Sequence, residues 1–187
     1  MATQQAPHLF TVDEYYRMGE AGILSEDARV ELIEGEIIDM APIGMRHALC
    51  VNRLNQLLVL LLQGRAMVHV QNPLHLGDYS EPQPDITLLK QRDYSHDLHN
   101  PGANDVLLAI EVSDTTLTFD RKVKVPLYAR AGIPEVWLVN LQEDSIEVYS
   151  QPGGGTYQEH QQLGRGQSVP VPGFSDLTAS INDIFGR

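Results

Sequence analysis

This 187-residue sequence contains little cysteine, few basic side chains and no long apolar run. Cys50 is the single cysteine, which excludes an internal disulfide framework and is typical of a reducing compartment. The polar N-terminal segment shows no signal peptide, and the most apolar stretch, residues 57–62, is far too short to cross a bilayer. We therefore expect a soluble, cytoplasmic protein that spans no membrane.

The scarcity of basic side chains leaves a strong negative charge. The sequence has 13 lysine and arginine residues against 25 aspartate and glutamate residues, for a formal net charge of −12 at pH 7. Surfaces that bind a phosphate backbone are usually basic, so this total counts against a nucleic-acid substrate. It does not exclude one, because carboxylates can cluster around a metal ion and local charge can differ from the total.

The chain has the size and composition of one globular domain. Hydrophobic residues make up 42% of the sequence and charged residues 20%, values that are ordinary for a folded protein. The sequence has no internal repeat and no linker-like tract. We expect residues 1–187 to form a single domain.

Local patterns predict helices and strands along the whole chain. A capping box at Thr11 and Glu14 opens a short helix, and apolar residues at helical spacing mark the longest helix. The predicted helices cover residues 11–19, 45–63, 120–131 and 177–184. The predicted strands cover residues 29–33 and 36–40 as a hairpin, then 67–70, 74–76, 85–89, 106–112, 136–139, 146–149, 157–163 and 169–171. We interpret residues 93–104 as a loop.

This order of elements predicts the fold class. Strands and helices alternate without a repeat, which favours an α/β or α+β fold with helices packed on a mixed β-sheet. An N-terminal helix and a hairpin precede that sheet.

Two acids stand out by their positions. Asp85 begins an apolar strand directly after Pro84, and Glu111 lies inside the most hydrophobic strand of the chain. Burying a carboxylate without a partner costs several kcal/mol by rough estimate. A sequence that keeps an acid in such a place usually supplies a cation, hydrogen-bond donors or a cleft open to water.

A helix follows the strand that contains Glu111. On this helix Asp120, Lys124 and Tyr128 are four residues apart and share one face. If the helix packs against the strand, Lys124 can reach the two acids. Two carboxylates that hold a divalent ion, with a lysine beside the attacking water, are the minimal apparatus for phosphodiester hydrolysis.

Each of these residues also has a purely structural interpretation. Asp85 after a proline can simply begin a strand, and Lys124 can be solvated or paired with Asp120. Tyr128 is most simply a core or interface aromatic residue. Glu111 is harder to explain in this way, because a carboxylate in a central strand needs a partner. The histidines lack zinc-like spacing with cysteine, so we do not expect a structural zinc site.

The order of the motifs resembles that of the Uma2 family over about residues 10–149. The matching segments are residues 29–36 (RVELIEGE), His47, Pro84-Asp85, 110–116 (IEVSDTT), 120–128 (DRKVKVPLY) and 132–139 (GIPEVWLV). Uma2 proteins are restriction-endonuclease-like, are common in cyanobacteria and are grouped with the PD-(D/E)XK nucleases. The resemblance implies a mixed sheet flanked by helices, with Mg²⁺ or a similar cation at the acids.

The resemblance also assigns the motif residues. Asp85 and Glu111 match the two acids of the superfamily. The superfamily lysine normally stands two residues after the second acid, where this chain has Ser113. In Uma2-like sequences the lysine lies on the following helix, which implies Lys124, with Lys122 as the fallback.

Glu31 and His47 match two further positions that recur in the family. Their roles stay open, because Glu31 can equally be a surface residue of a hairpin strand and His47 can cap the long helix or pack locally. We include both among the candidate catalytic residues.

Together these residues predict a metal-dependent endonuclease. We expect Asp85, Glu111 and the backbone carbonyl of Val112 to hold one Mg²⁺ or Mn²⁺. We expect Lys124 to orient the attacking water or to stabilise charge on the phosphate. The substrate would be nucleic acid, with DNA favoured over RNA, and the motifs specify neither strandedness nor sequence.

A second hypothesis is a catalytically silent nuclease-fold module that acts in binding or in homo-oligomeric assembly. The acidic total charge and the absence of any attached recognition domain motivate it. Residues 146–149, interpreted as an edge strand, would pair across a two-fold axis, and on that ground we expect a homodimer.

Overall fold

The computed structural model describes residues 6–25, 27–91 and 99–186. Its helices are α1 (Val12–Glu20), α2 (Met45–Leu62), α3 (Leu117–Phe119), α4 (Val125–Ala131) and α5 (Ile181–Phe185). Its strands are β1 (Val30–Ile33), β2 (Glu36–Asp39), β3 (Ala66–Val70), β4 (Ile86–Lys90), β5 (Val106–Ser113), β6 (Glu135–Asn140), β7 (Ser145–Gly153), β8 (Thr156–Leu163), β9 (Ser168–Val171) and β10 (Phe174–Ser180).

The N-terminal helix and hairpin have the predicted start and turn. The side chain of Thr11 accepts a hydrogen bond from the backbone of Glu14, and the Glu14 side chain bonds back to Thr11, as a capping box requires. The hairpin turn has positive φ at Glu34 (51°) and at Gly35 (84°). A Cβ at Gly35 would also lie 2.5 Å from Cβ of Leu9, so both backbone angle and space require glycine.

A six-stranded mixed sheet forms the centre of the fold, in the order β3-β4-β5-β6-β7-β8. β5 and β6 are parallel, and every other neighbouring pair is antiparallel. β5 is the inner strand predicted from its apolar run, and helices cover both of its faces. The predicted mixed sheet flanked by helices is confirmed.

The two faces of β5 meet different layers. Ile110 and Val112 pack into the larger core cluster, which contains the buried side of α2 and residues of α5. Ala109 packs into a second cluster with Val125 of α4. Because side chains alternate along a strand, Glu111 lies on the α4 side with Ala109.

The helix predicted over residues 120–131 is present but begins earlier. α3 continues through a π turn (Asp120–Lys124) into α4, and the helix ends at Gly132, whose φ is 80°. The predicted end of this helix is therefore confirmed, and the sequence pattern missed the first turn.

The strand predicted over residues 74–76 is wrong, apart from one isolated bridge between His75 and Gly102. The N–H of Leu74 donates to the carbonyl of Pro82, and the N–H of Leu76 donates to the carbonyl of Ser80, each at 2.9 Å. The backbone bonds of this segment thus close a loop. The alternation of Leu74 and Leu76 with polar residues has another cause. Leu74 packs into the cluster that contains Val125 of α4, and Leu76 lies against that cluster.

The interpretation of residues 146–149 as an edge strand is also wrong. They lie within β7, which pairs with β6 on one side and with the polar strand β8 on the other. The backbone edge that was expected to pair with a second copy is therefore occupied within the chain.

The helix predicted over residues 177–184 is correct only in its second half, and residues 177–180 are a strand. β10 pairs with β9, with Ala179 opposite Val169, and only Ile181–Phe185 is helical. Pairing with β9 thus outweighs a local helical pattern in this segment. Of the loop predicted over residues 93–104, residues 93–98 lie outside the described residues, and Ala103–Asp105 forms a 3₁₀ turn.

No helix among the described residues is long and apolar enough to span a membrane. The longest, α2, carries Arg46 and Arg53 and buries one side against the sheet.

The orientation of α2 can be tested with two leucines. Leu58 is fully buried against the sheet, whereas Leu60 is 65% exposed. We expect Leu58→Ala to lower the free energy of unfolding by about 2–5 kcal/mol, because it leaves a cavity in a packed core. Leu60→Ala should change it by no more than about 0.5 kcal/mol. Urea denaturation followed by circular dichroism measures both, and equal effects would contradict this packing.

Candidate active site

The two predicted acids lie side by side at the ends of neighbouring strands. Asp85 directly precedes β4, whose register pairs Ile86 with Ile110, so Asp85 stands beside Glu111 on β5. Regular pairing stops there, and the N–H of Val112 donates to Oδ2 of Asp85 (2.9 Å). The N–H and C=O of one residue point to the same side of a strand, so the Val112 carbonyl also faces this edge.

Three donors orient the carboxylate of Asp85. The Val112 N–H and Nε2 of His47 (3.0 Å) contact Oδ2, and Nε2 of Gln71 donates to Oδ1 (3.1 Å). Gln71 is in place because it follows β3, where its own N–H donates to the Asp85 carbonyl (3.1 Å). The acid that begins β4 is thus held from three separate elements.

His47 lies in the first turn of α2, where its side chain contacts Asp85 and does not cap the helix. The N-cap of α2 is Gly44, and no side chain caps it, so the capping interpretation of His47 is wrong. The hydrogen bond to Asp85 raises the pKa of His47, although burial opposes this. Its Nδ1 is buried and has no hydrogen-bond partner among the residues that the structure describes.

Glu111 is buried, and two side chains contact the same oxygen of its carboxylate, Oε1. Nζ of Lys124 lies 3.2 Å from Oε1, and the hydroxyl of Tyr128 donates to the same atom. Burial raises the pKa of Glu111 well above the usual range; Lys124 opposes this increase, and the nearby carboxylates, including Asp85, add to it. The buried acid in the central strand therefore has the partners that its position requires.

Lys124 joins Glu111 to the hairpin. Its Nζ lies 3.0 Å from Oε2 of Glu31, which also accepts a hydrogen bond from the N–H of Gln83 (3.1 Å). Lys124 and Glu31 are both buried, so the interpretation of each as a solvated surface residue is wrong. Burial alone would lower the pKa of Lys124, but the surrounding carboxylates outweigh it and raise that pKa.

The π turn shapes this end of the helix. The N–H of Val125 donates to the carbonyl of Asp120, five residues earlier, instead of four. Asp120 then turns to β5 and the loop after it, where its Oδ2 accepts from the hydroxyls of Ser113 (2.7 Å) and Thr116 (2.6 Å). The pairing of Lys124 with Asp120, which we considered from the spacing, is replaced by pairing with Glu31 and Glu111.

These residues surround a cavity of about 510 Å³. Among the described residues, six carboxylates line it, those of Glu31, Asp39, Asp85, Glu111, Asp114 and Asp120. Arg29 and Lys124 are the permanently charged cations of the same lining. We call this space the acidic cavity. Its negative charge exceeds its positive charge, so a further cation would be stabilised there.

The donor set fits a divalent cation of the Mg²⁺ type. Carboxylate oxygens of Asp85 and Glu111 and the carbonyl of Val112 are the hard ligands that Mg²⁺ and Mn²⁺ prefer. Within the described ranges, no group of three or more His, Cys, Asp and Glu side chains is arranged to hold a metal. An ion at this edge would therefore complete its coordination with backbone oxygen and water, as Mg²⁺ usually does.

Two contributors were missed by sequence reasoning. Tyr128 was interpreted as a core aromatic; it is fully buried, and its hydroxyl bonds Glu111. Its spacing from Lys124 on one helix face was the signal that could have identified it. Gln71 carries no local signal, because only the pairing of β3 with β4 brings it to Asp85.

Comparison with known proteins adds a family and a fold. A family model described as "Uma2: Putative restriction endonuclease" matches residues 12–182. Among solved structures, the chain is similar to "a putative nuclease belonging to DUF820" from Anabaena variabilis, with 24% identity and a TM-score of 0.76 over 94% of this chain and 97% of that one. At this identity the likeness shows the shared fold. No curated protein matches the chain. Family and fold together support a restriction-endonuclease-like nuclease.

The protonation of Asp120 gives a test of the buried charges. Burial raises the pKa of Asp120, and its hydrogen bonds and Lys124 only partly oppose this. The native pKa then lies above the unfolded value, so the stability that this group contributes is complete below the unfolded pKa and is lost as pH rises through the native one. Asp120→Asn keeps an acceptor for the two hydroxyls and removes the charge.

We therefore expect the stability of Asp120→Asn, relative to the wild type, to increase as pH rises from 4 to 8. Urea midpoints at several pH values measure this difference. Asp183→Asn, on the exposed side of α5, is the matched control and should show no such trend. A difference that stays constant or shrinks with pH would contradict the conclusion that burial outweighs the partners of the Asp120 carboxylate.

Proposed function

The chain belongs to the Uma2 family, and on that premise we propose that it is a metal-dependent endonuclease that hydrolyses phosphodiester bonds in nucleic acid, with DNA as the expected substrate. The observation that carries the proposal is the meeting of Asp85, Glu111 and Lys124 at one cavity. Asp85 directly precedes β4, Glu111 lies on β5 and Lys124 ends the π turn, so the three residues come from different parts of the fold. No packing requirement alone explains two carboxylates and an ammonium in one buried place, since an apolar core would be at least as stable.

The proposed ion-binding residues are Asp85, Glu111 and the carbonyl of Val112. When bound, a divalent ion polarises the scissile phosphate and lowers the pKa of a water ligand. His47 and Gln71 hold the Asp85 carboxylate in one orientation for this purpose.

Lys124 is proposed to act by its charge. Its raised pKa keeps the ammonium protonated at neutral pH, so it is a poor general base. An ammonium has three N–H groups, and contacts to Glu31 and Glu111 engage two of them. The remaining one suits a phosphate oxygen or the attacking water. As the water oxygen bonds to phosphorus and the ester bond breaks, the ammonium stabilises the negative charge that develops.

One observation favours the alternative, a catalytically silent nuclease-fold module. The described residues offer two carboxylates at the proposed ion site rather than a group of three or more metal-binding side chains. A protein that kept the fold without turnover would have no need of a high-affinity ion. The response to metal therefore separates the two proposals.

Replacing either acid by its amide tests the enzyme directly. We expect Asp85→Asn and Glu111→Gln to slow cleavage of DNA in Mn²⁺ by at least about a hundredfold, the scale of losing one preorganised electrostatic group. Both amides nearly preserve shape, so the fold should persist. Cleavage of a plasmid and of labelled oligonucleotides measures the loss.

Glu135→Gln is the matched control for Glu111→Gln. Glu135 is a half-buried carboxylate on the neighbouring strand β6, lies outside the acidic cavity and accepts a hydrogen bond from Trp137. The control should cleave at the wild-type rate. If Glu111→Gln also cleaves at that rate, the proposed mechanism is wrong.

Metal binding should also stabilise the fold. At an ion concentration a hundred times the Kd, the wild type should gain about 2.7 kcal/mol, or roughly 5–10 °C in Tm. Asp85→Asn should lose most of this shift, because it removes one ligand charge. Thermal denaturation in EDTA, Mg²⁺ and Mn²⁺ provides the measurement. A wild-type Tm that does not respond to either ion would favour the silent module.

A further inference from the structure

The reacting groups lie at the bottom of the acidic cavity rather than on an open surface. Asp85 is 9% exposed, Lys124 5% and Glu111 3%. A phosphodiester must therefore enter the cavity to reach them. A DNA duplex is stiff, with a persistence length of about 150 base pairs, whereas a single strand can bend into such a space.

The charge at the cavity also opposes a duplex. Double-stranded DNA carries about one negative charge per 1.7 Å of its axis, and Asp39 and Asp114 belong to the lining of the cavity. The whole chain has a net charge of −12. A ligand that brings few phosphates near this surface meets the least repulsion, which favours an unpaired segment.

Part of the cavity lining is apolar, which suits an unstacked base. Met40, Pro42 and Ile43, from the segment between β2 and α2, and Phe119 of α3 belong to the lining. We call these four residues the apolar wall. Ile43 is 45% exposed and belongs to neither of the two core clusters of the described residues. A base of a single strand gains about 1–3 kcal/mol by stacking on an aromatic side chain such as Phe119, whereas bases in a duplex are already stacked.

Arg29 places a guanidinium beside the apolar wall. Its Nη1 donates to the carbonyl of Ala41 (3.0 Å), and its own carbonyl accepts from the N–H of Met40 (2.8 Å). The exposed guanidinium is thereby anchored at the cavity. A guanidinium has five N–H donors in a planar fork that matches phosphate, more than the bond to Ala41 uses.

From these observations we infer that the acidic cavity accepts an unpaired DNA segment, with Arg29 on a phosphate and the apolar wall against a base. The chain accordingly prefers single strands, or the unpaired flaps of branched DNA, over continuous duplex. This inference rests on the proposed function, whose substrate it narrows.

Three matched oligonucleotides test the preference: a single strand, the blunt duplex of the same sequence, and that duplex with an unpaired flap. In Mn²⁺ the wild type should cleave the single strand and the flap at least about tenfold faster than the blunt duplex, a ratio that corresponds to 1.4 kcal/mol. Equal or faster cleavage of the blunt duplex would overturn the inference.

Two substitutions test the residues. Arg29→Gln keeps a donor for the Ala41 carbonyl and removes the charge, and should raise KM for the single strand about tenfold with little change in kcat. Arg29→Lys, which restores the charge, should recover part of that loss. Ile43→Ser should raise KM about threefold or more, because it removes apolar contact with the base.

The controls are substitutions of the same kind away from the cavity. The control substitutions are Arg17→Gln and Ile23→Ser. Arg17 lies on the exposed side of α1, and Ile23 is 71% exposed. Both should leave KM unchanged. If Arg29→Gln and Ile43→Ser also leave KM unchanged, the assigned binding residues are wrong.

Failure of the enzyme proposal can be told from failure of this inference. If the wild type cleaves none of the three oligonucleotides, fluorescence anisotropy with the same labelled oligonucleotides decides. Tighter binding of the single strand, weakened by Arg29→Gln and Ile43→Ser, would support the inference that the cavity binds an unpaired segment. It would contradict the proposal that the protein is a nuclease. Absence of binding to any of them would overturn both.

Discussion

The burial of one ammonium group between two carboxylates holds this structure and its site together. Lys124 contacts Glu31 of the hairpin and Glu111 of the central strand, so three parts of the fold meet at its Nζ. Each charge alone would be expensive to bury, and removal of one partner from such a group typically costs about 3–5 kcal/mol. This contact joins the hairpin, the central strand and the π turn at the acidic cavity.

The excess of carboxylates around that ammonium links the chemistry to the acidity of the whole chain. Glu111 and Asp120 are both buried carboxylates whose pKa values are raised by burial, which means that the fold stabilises their charged forms less than water does. Active sites often carry such a cost, because a site arranged to bind an ion or a transition state is not arranged for maximal stability. The net charge that argued against a nucleic-acid substrate is thus partly the charge of the proposed site, and a bound cation would offset it.

Fold prediction from the sequence succeeded where local physics decides the structure. The capping box at Thr11, the turn at Gly35 and the apolar face of α2 are short-range signals, and each predicted the element that is present. Prediction failed where the pairing of one backbone segment with another decides. Residues 74–76 close a loop and residues 177–180 join β9, although their apolar patterns favoured a strand and a helix. A pattern of apolar residues specifies which side chains are buried but not which backbone they pair with.

By itself, the sequence indicated that Asp85, Glu111 and Lys124 are the residues to examine. Carboxylates beside or inside apolar strands need partners, and the resemblance of the motif order to that of the Uma2 family implied Lys124. Tertiary structure alone decided which residues are the partners of these three side chains. It paired Lys124 with Glu31 rather than with Asp120, and it brought Gln71 to Asp85 and the Tyr128 hydroxyl to Glu111. These contacts join atoms that lie 14 to 93 residues apart in the chain, so they arise from strand register and helix packing, which no local pattern encodes.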